Sequence, residues 1–67
     1  MNLIFEFRFP ALGYRKMSAP RKGQAKKRAI EMARARRVGE PPVDHIEAEY
    51  DSQEEMFIVR GLVEERS

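Results

Sequence analysis

The chain has 67 residues, no cysteine, one histidine and a formal net charge of +2. A chain this short forms one domain at most, here residues 1–67, and buries only about 60% of its unfolded surface; with no cysteine and His45 alone, neither a disulfide framework nor a closed zinc site is available to reinforce its thin core. Its apolar runs reach four residues, far below the roughly 20 that span a bilayer, and Met1 to Glu6 lacks the basic start and apolar stretch of an export signal, so the expected setting is cytoplasmic, without a membrane, as the absence of cysteine also suggests.

Residues Leu3 to Phe9 alternate, with Leu3, Phe5, Phe7 and Phe9 on one side and Ile4, Glu6 and Arg8 on the other, the period of a half-buried strand that Pro10 ends. Three of the four phenylalanines share that side, which makes it the expected anchor of the core. Residues 11–23 read as a long connection with Ser18 as a candidate helix N-cap, or with a short extra strand over 12–17. From Gln24 to Arg37 the sequence is rich in strong helix formers, and Gly39 with Pro41-Pro42 supplies the stop. At 100° per residue, Ala25, Ala29, Met32 and Ala33 form a thin buried face, while Lys26, Lys27, Arg34 and Arg37 gather on the opposite flank.

A second amphipathic strand is expected from Val43 to Tyr50, with Ile46, Ala48 and Tyr50 facing inward and His45, Glu47 and Glu49 outward. A polar turn leads to a third strand, Met56 to Val63, that is apolar on both sides. Consecutive strands pair antiparallel, and a strand–helix–strand crossover leaves its two strands parallel, so the third strand belongs between the first and second. The expected fold is α+β, a β-α-β-β unit with sheet order 1-3-2 and one basic helix on one face. Leu3, Phe5, Phe7, Phe9, Ile46, Ala48, Tyr50, Phe57, Val59 and Val63 are then the helix-facing set. The other face carries Glu6, Arg8, Glu47, Glu49 and Arg60, plus an apolar strip of Ile4, Met56, Ile58 and Leu62 that suits a partner protein or a homodimer.

Chemistry has little to build on. His45, Glu47 and Glu49 share one strand face and could hold a divalent ion weakly, but the spacing matches no closed zinc site and a solvated strand face explains it as well. No serine sits in a nucleophile context and no glycine-rich phosphate loop occurs, so neither an enzyme nor a cofactor is expected. The charge pattern says more. Residues 15–37 hold ten basic side chains against Glu31 alone, whereas residues 38–67 hold nine acidic ones against Arg60 and Arg66.

Such asymmetry calls for an electrostatic partner or for neutralisation within the molecule. The expected function is a non-catalytic binding module whose helix and preceding loop dock onto nucleic acid or a nucleoprotein complex through Arg15, Lys16, Arg21, Lys22, Lys26, Lys27, Arg34 and Arg37. No helix-turn-helix, zinc-finger, RRM or KH signature supports base readout. An acidic protein surface is the runner-up partner for these cations, and the alternative function is a small inhibitor or adaptor that occupies a partner protein surface, using Ile4, Met56, Ile58 and Leu62 or a strand edge. In size and element order, though in no motif, the chain is similar to small phage-encoded proteins that block host defences, CRISPR inhibitors among them.

Overall fold

A computed structural model describes residues 1–65. β1 (Asn2–Pro10) leads through a 3₁₀ turn (Tyr14–Lys16) into α1 (Ala19–Arg36), followed by β2 (His45–Asp51) and β3 (Met56–Val63). The sheet has the order β1-β3-β2, and β3 runs antiparallel to both neighbours. The α+β fold and its strand order are therefore as the alternation and crossover rules require.

The helix begins at Ala19, a full turn before the expected Gln24. Ser18 occupies the N-cap in an extended conformation, and its carbonyl accepts the Lys22 amide at 2.9 Å, closing the first turn. Pro20 lies in that turn, where its missing N–H leaves nothing unsatisfied. Gly23 is thus carried inside the helix rather than in a loop. The extra strand considered over residues 12–17 is absent, because Gly13 takes a left-handed φ of 79° and turns the chain into the 3₁₀ segment.

The core consists of Phe5, Phe9, Ala11, Ala29, Ala33, Phe57 and Val59. Ala29 and Ala33 bring the helix close to the sheet, and Val59 at the centre of β3 is fully enclosed. Gly61 faces the same layer. A Cβ at Gly61 would overlap the Phe5 ring, so the glycine is the space in which that ring lies. Tyr14 joins Tyr50 and Phe57 in an aromatic cluster with centroid separations of 4.5 and 4.9 Å.

Leu3 does not join the helix-facing set that the alternation predicts, because the register shifts between Leu3 and Phe5, with Leu3 opposite Leu62 and Phe5 opposite Gly61. The additional residue, Ile4, breaks the period of two, as a β-bulge does. Leu3 consequently faces away from the helix and is 55% exposed. On the same open face, Ile58 is buried at 8% exposure. Its cross-strand neighbours Arg8 and Glu49 flank it, and the stems of long charged side chains can cover an apolar residue in that position.

Candidate functional site

Gly13 and the ring packing of Tyr14 set the 3₁₀ turn, and with it Arg15 and Lys16, at the start of the helix. Arg15, Lys16, Arg21, Lys27 and Arg34 are exposed, whereas Lys22, Lys26 and Arg37 are half-buried. The first helical turn holds no acidic residue. Arg21 and Lys22 stand there at the positive end of the helix dipole, a placement that costs each cation about 0.3–1 kcal/mol at a surface. Lys22 and Lys26 are also like-charged neighbours at a spacing of four, which adds to the cost. Lys22 is partly accommodated by the Tyr14 ring, whose centroid lies 5.5 Å from its ammonium nitrogen.

Apart from Glu31, which stands on α1 itself, and Glu40 and Asp44, which line a pocket with Arg34 and Arg37, the carboxylates lie elsewhere. On the sheet face away from the helix, Arg60 donates to Glu49 at 2.8 Å and to Glu6 at 3.0 Å. The bonds to Glu49 and then Glu6 push the Arg60 pKa further above its ordinary value. Arg8 lies 3.7 Å from Glu6, and His45 lies 3.6 Å from Glu47. Glu49 is thus engaged by Arg60, and no group of three metal-ligating side chains forms among the described residues. The sheet sets these acids on the far side from α1. Among the described residues, no ion pair joins any Lys or Arg of 15–37 to a carboxylate.

The two arginines at the end of the helix differ from the other cations. Arg37 donates to the Pro41 carbonyl at 2.8 Å and lies 4.6 Å over the Phe5 ring. Arg36, which the expected contact set does not include, lies 4.9 Å over Phe9 and 5.6 Å over Phe7. Both cap the phenylalanines of β1, so Arg37 is a packing residue as well as a charge. A signal for this exists in the sequence: Arg36 is seven residues past Ala29 and Arg37 four past Ala33, which places both near the buried stripe.

Sequence reasoning also missed a groove of about 190 Å³ between the end of β1, the 3₁₀ turn and α1. Phe9, Leu12, Met17, Met32 and Phe57 line it, with Arg28 at its side. Leu12 is 75% exposed and Met32 41%. The residues come from four separate stretches of chain, so no local pattern reveals the groove. The expected strip of Ile4, Met56, Ile58 and Leu62, by contrast, is not continuous. Ile58 is buried, Met56 and Leu62 are half-buried, and Arg60 with its two carboxylates stands between Ile58 and Leu62.

With the charges sorted in this way, likeness to other proteins adds nothing. The chain matches no protein-family model, no curated protein and no solved structure. No described helix is long and apolar enough to cross a membrane.

Proposed function

We propose that the chain is a non-catalytic binding module that lays the outer face of α1 and the preceding turn on a phosphate backbone, free or in a nucleoprotein complex. The observation that carries this reading is the set of cations from Arg15 to Arg34 that have no carboxylate partner among the described residues, although the chain has eleven acidic residues of its own. Phosphates would relieve the crowding at the start of the helix, and counterion release would supply the affinity. Arg15, Lys16, Arg21, Lys22, Lys26, Lys27 and Arg34 form the contact set. Arg37 contributes field more than contact, being held by Phe5 and Pro41.

Fluorescence anisotropy with labelled duplex DNA and single-stranded RNA tests this. If four cations engage duplex phosphates, log K falls with log salt at a slope of about −3.6, a loss of about 150-fold between 50 and 200 mM. The pair Lys27→Glu and Arg34→Glu should abolish binding while leaving the far-UV circular dichroism unchanged. Salt-independent affinity, or binding that the pair leaves intact, would refute the reading.

The groove beside Leu12 and Met32 favours a second reading, an inhibitor or adaptor that takes an apolar anchor of an acidic protein surface. Met32→Ser, which removes the apolar contact without adding a charge, separates the two. It should break a protein complex and leave nucleic-acid affinity as it was.

A further inference from the structure

β1 is an edge strand that pairs with β3 alone, and α1 packs mainly over β2 and β3. The Ala11 amide donates to the Glu55 carbonyl at 2.8 Å, which identifies a hydrogen-bonded pair at the end of the antiparallel register. Hydrogen-bonded and open pairs alternate along such a ladder. Phe9, Phe7 and Phe5 therefore turn their peptide groups inward to β3, and Arg8 and Glu6 turn theirs outward. The open edge offers the N–H and C=O of both charged residues.

We propose that this edge pairs antiparallel with the same edge of a second copy, centred on Phe7, so that Glu6 of each copy lies opposite Arg8 of the other. A ladder forms only where outward groups meet outward groups. Centring the pair on Glu6 sets that carboxylate against itself, and centring it on Arg8 opposes two guanidinium groups. The Phe7 register alone sets Glu6 against Arg8 in both directions, and opposite charges facing across strands stabilise where like charges destabilise. Glu6 and Arg8 then exchange both backbone hydrogen bonds, and the two Phe7 residues meet in the close, open pair at the two-fold axis.

The exposed apolar residues fit the same register. Leu3 and Ile4 near the start of β1 are 55% and 47% exposed, and Leu12 just past its end is 75% exposed. Antiparallel pairing brings the start of one strand beside the end of the other, removing part of that surface from water. The product is a continuous sheet of order β2-β3-β1-β1-β3-β2 with both helices on one face. This interface does not depend on the nucleic-acid reading, although it would join the cations of two copies into one surface.

An edge contact of this size belongs to the weak class, below about 1,200 Å², so sedimentation equilibrium at high protein concentration is the measurement. The mass should rise with concentration from 7.8 kDa toward twice that value. Arg8→Glu sets two carboxylates against each other, and Arg8→Pro removes an outward N–H that β3 does not use; each should hold the protein at the monomer mass with the circular dichroism of the parent. Because the chain has no cysteine, Phe7→Cys adds a test of register. Oxidised glutathione should cross-link F7C into a disulfide dimer at least tenfold faster than S52C at the hairpin turn. A parent that stays monomeric, a dimer that persists in R8E, or equal cross-linking of F7C and S52C overturns the proposal. Loss of nucleic-acid binding would leave all three results untouched.

Discussion

Gly61 shows how one residue can set a core. It lies opposite Phe5 in the ladder, and the ring occupies the volume that any side chain at that position would need. On its other side the same ring meets the Arg37 guanidinium. Gly61→Ala should therefore displace Phe5 and cost about 1–3 kcal/mol, the usual penalty for overpacking. Thermal denaturation reads this as a fall of about 4–8 °C per kcal/mol in a domain of this size. Combining Gly61→Ala with Phe5→Leu should cost less than the sum of the two, since the pair is in contact. Additive losses would mean that the ring does not depend on the glycine. The alternation in the sequence assigns Phe5 and Gly61 to one face, but only pairing across strands brings them opposite each other.

Gly23 raises the matching question for α1. The element extends a turn further toward the N-terminus than propensity suggests, because Ser18 and Pro20 form a workable start and the helix absorbs the glycine. Gly23 is exposed and a Cβ there would meet no atom within 4 Å. Gly23→Ala should therefore stabilise the protein by about 0.5–1 kcal/mol and raise the melting temperature by a few degrees; no gain would indicate that the first turn is frayed in solution. Legibility differed between the elements for the same reason. Strand and helix periodicities are local and could be read directly. The helix start is hidden in the sequence because proline and glycine, at positions 20 and 23, are residue types that loops also use, and only the closed turn at Ser18 and Lys22 distinguishes the two.

Across the whole molecule, the fold sets the helix cations apart from the carboxylates of the sheet. Carboxylates of the sheet are bridged by Arg60 on one side, and the helix presents its cations on the other. A monomer selected for stability alone would place acidic residues in the first turn of α1. Arg21→Glu tests that statement: removing a cation from the positive end of the dipole and adding an anion should raise stability by about 0.5–1 kcal/mol. The same variant should lower affinity for DNA and reduce the salt slope by about 0.9 for each phosphate it ceases to neutralise. A variant that is more stable and binds equally well would show that Arg21 lies outside the contact surface.

The segregation of charge along the chain was legible because it is a property of residue type and order. So were three strands, one helix and the order β1-β3-β2, which follow from local alternation and from the rules for connecting neighbouring elements. The tertiary structure alone decided that Leu3 turns outward, that Arg36 and Arg37 cap the phenylalanines, and that a groove opens beside Leu12 and Met32. Each of these arises where stretches distant in sequence meet. A bulge exists only relative to the strand it pairs with, a cation over a ring only relative to the layer beneath it, and a groove only between the elements that wall it. Periodicity along one segment carries no information about its partner, so these features appear once the chain has closed on itself.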